Sequence, residues 1–361
     1  MSKGPRELVR EEILGLKGYA VPSAIGMVKL DAMENPYELP SALAAAMGER
    51  LAAVAVNRYP DPRAAGLKAA LRKAMAVPDG LEVILGNGSD ELIQIVSLAL
   101  ARPGAAVLSL EPSFVMYRLS ALAAGMAYHG VALREDFSLD EAALLAAMER
   151  IRPALVWIAY PNNPSGNLFA REAILRIVAA APGVVVVDEA YHAFSEGATL
   201  MGEAGRHPNL IVLRTVSKLG LAGLRLGLAA GAAPWIEQFE KLRPPYNVNA
   251  LTAAAAEFLL GHLEVLEGQA LRIVAERARL EGALDRMPAL RRFPSSANFI
   301  LVRVPDAPRA FEGLGSRGIL VKSLHGSHPL LDHCLRLTVG TPEENTRVLE
   351  ALASILAPPN A

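Results

Sequence analysis

Two apolar segments of the chain each end in side chains that could do chemistry. Four consecutive valines precede Asp188, and a second apolar segment ends shortly before Lys218. Such β-branched runs are typical of strands buried on both faces of a parallel sheet, which binds ligands beyond the carboxyl ends of its strands. The side chains at these two points are an acid, a phenol, two hydroxyls and an amine: Asp188, Tyr191, Thr215, Ser217 and Lys218. Together they suit pyridoxal phosphate, although either segment alone also fits a helix cap or a surface lysine.

Short strand and helix patterns alternate from residue 80 to residue 230. This alternation predicts an α/β fold, with one mixed, mostly parallel sheet wrapped by helices. Two prolines within residues 243–247 cannot continue a helix and mark a boundary, beyond which long helices precede a small sheet. We therefore expect a large domain over 36–244 and a smaller α+β domain over 245–361. Residues 1–35 are expected to form an arm that packs with the smaller domain.

Composition excludes several classes of protein. The 361 residues are 52% hydrophobic and 20% charged, which argues against disorder, and a net charge of −1 provides no basic field for nucleic acid. A single cysteine excludes an internal disulfide framework and fits a reducing cytosol. The first residues lack a signal-peptide core, and no apolar run approaches the ~20 residues that span a bilayer. We expect a cytoplasmic protein with no membrane or nucleic-acid partner and no metal site.

A glycine-containing turn over 86–90 leads from a short strand into an apolar helix. Such a turn points unpaired backbone N–H groups at one spot, which suits a phosphate, although an ordinary helix cap fits as well. Phe114 follows the next strand and could stack on a flat ring or simply pack in the core. Asn163 lies in a loop of turn-forming residues, 161–166, after a further strand.

Six motifs occur along the chain in an order known from one enzyme family. They lie at 34–36, 57–60, 161–166, 188–191, 217–225 and 335–341. With them the chain resembles the fold-type-I pyridoxal-phosphate-dependent aminotransferases, and among these the histidinol-phosphate aminotransferases most. The resemblance extends from about Tyr19 to the last helix. It implies pyridoxal 5'-phosphate as the cofactor.

The resemblance also implies how the reactive part of the cofactor is held. Lys218 would form a Schiff base with it and later move a proton. Asp188 would keep the ring nitrogen protonated, so that the ring acts as an electron sink. Tyr191 and Asn163 would hydrogen-bond the phenolic oxygen, and Phe114 would stack on the ring.

The phosphate of the cofactor needs several donors and a fixed cation. The residues implied for this end are Ser89, Asp90, Thr215, Ser217 and Arg225, with Arg225 forking onto two oxygens. In the family, the residue corresponding to Tyr59 reaches the cofactor phosphate of a neighbouring subunit. That contribution implies a homodimer with shared sites.

Substrate contacts are implied at four positions. Arg336 would receive the anionic end of the substrate, with Tyr19, Asn35 and Lys322 as further contacts. The sequence departs from the family at two points, because Lys322 stands where many relatives have arginine and Met33 where they often have asparagine. Lysine retains the charge but loses the bidentate geometry.

The expected reaction is reversible amino transfer between histidinol phosphate and 2-oxoglutarate, yielding imidazole-acetol phosphate and glutamate in histidine biosynthesis. Two enzymes of the same fold stay open as alternatives: an aromatic amino-acid aminotransferase and a decarboxylase of a phosphorylated amino acid. A regulatory module that binds the aldehyde without turnover is disfavoured, because the segment before Tyr19 is too short for a helix-turn-helix.

Overall fold

The computed structural model describes residues 4–16, 18 and 22–357. The strands are β1 (Val28–Leu30), β2 (Glu82–Gly86), β3 (Ala106–Glu111), β4 (Ala127–Ala132), β5 (Leu155–Ala159), β6 (Val184–Asp188), β7 (Leu210–Thr215), β8 (Gly227–Gly231), β9 (Arg291–Arg292), β10 (Phe299–Arg303), β11 (Ile319–Ser323) and β12 (Cys334–Thr338). The α-helices are α1 (Pro5–Leu8), α2 (Glu11–Leu14), α3 (Ser41–Ala52), α4 (Ala65–Ala74), α5 (Gly88–Leu100), α6 (Val115–Ala123), α7 (Glu141–Ile151), α8 (Arg171–Ala180), α9 (Ala233–Glu240), α10 (Ala250–Leu260), α11 (Leu263–Leu284), α12 (Ala307–Gly315) and α13 (Pro342–Leu356). Within the described ranges, none of these helices has both the length and the apolarity that a membrane span requires.

The larger sheet has seven strands in the order β2-β8-β7-β6-β5-β3-β4. Strand β8 runs antiparallel to β2 and β7, and the other neighbours pair in parallel. Crossovers through helices, such as α8 between β5 and β6, connect the parallel strands. The fold class predicted from the sequence, an α/β protein with a mixed and mostly parallel sheet, is confirmed.

The valines of β6 are buried on both faces of this sheet, as their pattern predicts. Val185 and Val187 belong to one core cluster and Val184 and Val186 to another, because side chains alternate between the faces of a strand. Every residue of β5, β6 and β7 is buried. The polar residues that follow these strands are therefore held at one edge of a rigid sheet.

A second sheet has five strands in the order β1-β11-β12-β10-β9. Strand β1 lies early in the chain and pairs in parallel with β11, while the other neighbours are antiparallel. Helix α10, which follows the two prolines, packs on α3 and α4 and so joins the two halves of the chain. The domain boundaries at residues 36 and 245 stay predictions.

Candidate active site

A cavity at the carboxyl edge of the larger sheet collects most of the residues that the sequence singles out. The ends of β5, β6 and β7 and the first turn of α5 border it. Ten expected site residues line it: Ser89, Asp90, Phe114, Asn163, Asp188, Tyr191, Thr215, Ser217, Lys218 and Arg225. Open α/β sheets bind their ligands at this edge, so the position of the cavity follows from the topology.

Asp188 is a buried carboxylate at the end of β6. The hydroxyl of Tyr117 donates to its Oδ2 atom over 2.8 Å, and the backbone N–H of Ala190 donates to Oδ1 over 3.1 Å. Burial raises the pKa of Asp188 to about 6, while the hydrogen bond from Tyr117 acts in the opposite direction. A protonated ring nitrogen placed beside this carboxylate would compensate for the desolvation of its negative charge.

Lys218 lies in an irregular helical turn, Ser217–Leu221, that follows β7. Its Nζ atom donates to the backbone carbonyl of Ala32 over 3.1 Å. Burial, followed by the nearby charge of Arg336, lowers the pKa of Lys218 to about 8. A much larger fraction of this amine is therefore neutral near pH 8 than for an exposed lysine, and the neutral amine is the nucleophile.

The first turn of α5 and the turn after β7 form a cradle for an anion. Gly88 has a φ of +78°, and a Cβ there would lie 2.8 Å from the Nη2 atom of Arg225. Arg225 also has an ion pair of 3.4 Å with Asp90. The hydroxyl of Thr215 donates to that of Ser217 over 2.9 Å. Glycine at position 88 thus lets the guanidinium approach the N-terminus of a helix, where a phosphate is stabilised.

Asn163 connects Tyr191 to Arg336 across the cavity. Its Nδ2 atom donates to the hydroxyl oxygen of Tyr191 over 3.0 Å, and the Nη1 atom of Arg336 donates to its Oδ1 atom over 2.6 Å. The Nη2 atom of Arg336 donates to the carbonyl of Asp31 over 2.8 Å. These bonds hold the guanidinium of Arg336 between Asn163 and the backbone of Asp31.

A second cavity adjoins the first and shares Met33, Phe114 and Asn163 with it. Lys322 and Arg336 line this second cavity and face each other as direct partners on β11 and β12. Two basic side chains beside the first cavity can receive the anionic end of a molecule whose reacting atoms lie near Lys218.

Two expected residues, Asn35 and Tyr59, are not among the residues that line these cavities. Asn35 donates from its amide nitrogen to the carbonyl of Leu219 and to Gln269, so it fixes the backbone after Lys218. Tyr59 has 82% of its surface exposed. Its ring stacks on Tyr246 with centroids 4.6 Å apart. Tyr19 lies outside the described residues.

Five residues that line the first cavity are absent from the set of site residues predicted from the sequence, and two of them, Tyr117 and Met33, take part in side-chain hydrogen bonds there. Tyr117 is fully buried and stacks on Trp157 at a centroid distance of 4.9 Å. Tyr117 lies three residues after Phe114, and their rings make an edge contact with centroids 5.6 Å apart, so this spacing is the signal that would have identified it. Met33 has a left-handed backbone conformation with a φ of +54°. Its sulfur accepts a hydrogen bond of 3.2 Å from the hydroxyl of Tyr191. The resemblance to the family places Met33 near the substrate, but only the fold shows its contact with Tyr191.

The fold and the cavity together define a fold-type-I transferase, and comparison with known proteins identifies its family. Residues 25–352 match the family described as aminotransferase class I and II. The chain is 56% identical to histidinol-phosphate aminotransferase of Chromobacterium violaceum, over 96% of this chain and 97% of that protein. It is 54% identical to histidinol-phosphate aminotransferase 1 of Burkholderia lata, over 96% of this chain and 98% of that protein.

A solved structure agrees with the fold. Histidinol-phosphate aminotransferase from Sinorhizobium meliloti, in complex with pyridoxal-5'-phosphate, matches with a TM-score of 0.83 at 24% identity, over 97% of both chains. The chain belongs to the class I and II aminotransferase family. The family predicted from the sequence motifs is confirmed, and with it the prediction that the protein is an enzyme.

Proposed function

We propose that the protein is a pyridoxal-phosphate-dependent aminotransferase that transfers an amino group from histidinol phosphate to 2-oxoglutarate. The products are imidazole-acetol phosphate and glutamate, and the reaction belongs to histidine biosynthesis. The observation that carries the proposal is the presence of a partly buried lysine, Lys218, and a buried carboxylate, Asp188, in one cavity beside an anion cradle. The names of relatives more than half identical over nearly the whole chain support the choice of substrate.

The residues present fit the cofactor. When bound, pyridoxal phosphate supplies an aldehyde carbon and an electron-withdrawing ring. The carboxylate of Asp188 holds a proton on the ring nitrogen, because an ion pair favours the charged form of both groups. The Nζ atom of Lys218 would hold the cofactor covalently through its aldehyde carbon, with the aldehyde oxygen released as water, and would carry a proton to and from the α-carbon of the substrate.

The phosphate and the phenolic oxygen of the cofactor also have side chains that can bind them. The hydroxyls of Ser89, Thr215 and Ser217 and the guanidinium of Arg225 bind the phosphate. Tyr191 and Asn163 hydrogen-bond the phenolic oxygen, and Phe114 packs against the ring. What supports these roles is that all of these side chains line the same cavity as Lys218.

Arg336 and Lys322 bind the anionic end of the substrate. This end is the phosphate of histidinol phosphate in one half-reaction and a carboxylate of glutamate in the other. Fixed cations suit both anions, and Arg336 is held in place by its bonds to Asn163 and Asp31.

We infer a homodimer in which Tyr59 contributes to the cofactor site of the neighbouring subunit. Tyr59 is 82% exposed and does not line the cavity of its own chain, and the nearby Val56 is 74% exposed. Apolar surface of this kind favours burial against a second subunit. The protein acts in the cytoplasm, where a reduced thiol such as Cys334 is stable.

Steady-state kinetics with different amino donors test the proposed function. Histidinol phosphate should be consumed much faster than phenylalanine, and only when 2-oxoglutarate is present. Phenylalanine as the better donor would identify an aromatic amino-acid aminotransferase. Release of carbon dioxide from a phosphorylated amino acid without a keto acid would identify a decarboxylase, and either result would refute the proposal.

A further inference from the structure

Glu111 is an acid in an otherwise basic cavity. It is the last residue of β3 and lines the second cavity together with Arg118, Lys322 and Arg336. Among the described residues lining this cavity, Glu111 is the only carboxylate. Neither the cofactor roles nor the binding of the substrate anion, as proposed above, involves it.

The side chain of Glu111 is placed by two residues of the neighbouring strand β4. A Cβ on Gly130 would lie 2.3 Å from the Cδ atom of Glu111 and 2.4 Å from its Oε2 atom, so glycine at this position lets the carboxyl group lie against β4, and a larger residue would displace it. Tyr128, two residues before Gly130 and on the same face of β4, lies beside Glu111, and burial followed by the charge of Glu111 raises the pKa of this phenol. The strand thus seats the carboxylate in a defined position.

The carboxylate retains capacity to accept further hydrogen bonds. An ionised carboxylate offers about four acceptor sites, and the neighbouring phenol of Tyr128 can take up only one of them. Glu111 is partly buried at the cavity wall. A polar group in this position favours a ligand that carries a donor, because an apolar ligand edge would desolvate the carboxylate without replacing its hydrogen bonds.

The second cavity adjoins the cavity that contains Lys218. Phe114 and Asn163 line both cavities, and Glu111 lies three residues before Phe114. A substrate bound near Lys218 can therefore extend a side group toward Glu111 while its anionic end is held by Arg336.

We propose that Glu111 accepts a hydrogen bond from a ring N–H of the substrate and so selects a nitrogen heterocycle over a carbocyclic ring. The inference rests on the proposed function, in which the substrate carries an imidazole. Imidazole has an N–H in both its neutral and its cationic form, so the carboxylate finds a donor in either state. A phenyl ring has none, and a site built around a hydrogen bond discriminates against the analogue that lacks it.

Separate half-reactions of the holoenzyme test this inference, with the absorbance of the cofactor as the readout. Glu111→Leu should lower kcat/KM for histidinol phosphate by about ten- to a hundred-fold, the range expected for a hydrogen bond to a charged group. Glu111→Gln, which retains a neutral acceptor, should show a smaller loss. The half-reaction with glutamate, which has no ring, should change less than about two-fold in both variants.

The half-reaction with glutamate is the internal control for folding and cofactor binding. The matched control for loss of a negative charge is Glu135→Gln, because Glu135 is exposed and lies beyond β4. Equal losses with both donors would show that Glu111 only supports the structure, and unchanged kinetics with histidinol phosphate would show that it does not contact the ring. Either outcome overturns the inference. Failure of the proposed function is a different result, because the wild-type enzyme itself would then react with glutamate but not with histidinol phosphate.

Discussion

The hydroxyl of Tyr117 donates a 2.8 Å hydrogen bond to the Oδ2 atom of Asp188, joining the first helix after β3 to the end of β6. Both side chains are buried, and the Tyr117 ring is fixed by its stack on Trp157. The bond favours the ionised form of Asp188, whereas burial favours the protonated form. Tyr117 therefore helps to keep a buried carboxylate available as the partner of a cationic ring nitrogen.

Replacement of Tyr117 by phenylalanine should weaken cofactor binding in a pH-dependent way. Loss of the hydrogen bond raises the pKa of Asp188 further above its present value of about 6, so the carboxylate becomes protonated at a higher pH. We expect the dissociation constant for pyridoxal phosphate to increase about ten-fold at pH 6.5 and less at pH 8.5. Cofactor titration of the apoprotein across this range measures the effect.

A matched control for this variant is Tyr160→Phe. Tyr160 is a buried tyrosine that follows β5 and does not line the first cavity. Its variant should bind the cofactor like the wild type at every pH. A Tyr117→Phe effect of the same size at pH 6.5 and pH 8.5 would argue that the hydroxyl acts through packing rather than through the charge of Asp188.

Removal of the Arg336 charge should slow the capture of cofactor by the apoprotein near neutral pH. Arg336 lowers the pKa of Lys218, so Arg336→Met should raise that pKa from about 8 and reduce the neutral, nucleophilic fraction of the amine. We expect a several-fold slower reaction at pH 7.5, converging with the wild type above about pH 10. Stopped-flow absorbance measures the rate. Lys322→Met is the control: it removes a charge from the same region and should leave the pH dependence of the capture rate unchanged.

Glu189 and Arg214 form a buried ion pair between the ends of β6 and β7, with an Nη2–Oε2 distance of 2.7 Å. Thr199 donates to the same carboxylate. Glu189→Ala would leave a buried guanidinium without its counter-ion and should lower the free energy of unfolding by about 3–5 kcal/mol. The double variant Glu189→Ala/Arg214→Met should recover part of this loss in urea unfolding of the apoprotein. A double variant no more stable than the single one would disprove the explanation.

Tyr59 should act across a subunit interface. In a mixture of Lys218→Ala and Tyr59→Ala subunits, a mixed dimer would have one site with Lys218 from one subunit and Tyr59 from the other. After denaturation and refolding of an equimolar mixture, activity should rise to about a quarter of the wild-type value, since half of the dimers are mixed and each has one intact site. Activity no greater than the mean of the two separate variants would place Tyr59 outside the neighbouring site.

The strands that carry the first cavity are those whose sequence is easiest to interpret. The valines of β6 and the apolar residues of β7 are buried on both faces, so their pattern identifies them and places Asp188 and Lys218 at one edge. Strand β8 lacks this signal because it consists of glycine, alanine and a single leucine. Strand β4 lies at the sheet edge and is half exposed, so its apolar pattern is weak.

Contacts between distant segments could not be predicted in the same way. Met33 reaches Tyr191 because β1 pairs with β11, a relationship between residues far apart in the chain. Local periodicity carries no information about such a pairing. The seat of Glu111 over Gly130 likewise depends on the register of β3 against β4, which only the three-dimensional structure provides.

Identification of the lysine that binds the cofactor tests the central claim most directly. The holoenzyme is treated with sodium borohydride, which fixes the cofactor to its amine, and the labelled peptide is located by mass spectrometry. We predict a single label on Lys218, and no label and no visible absorbance band of the bound cofactor in Lys218→Ala. A label on another lysine, or full turnover by the Lys218→Ala variant, would contradict the account.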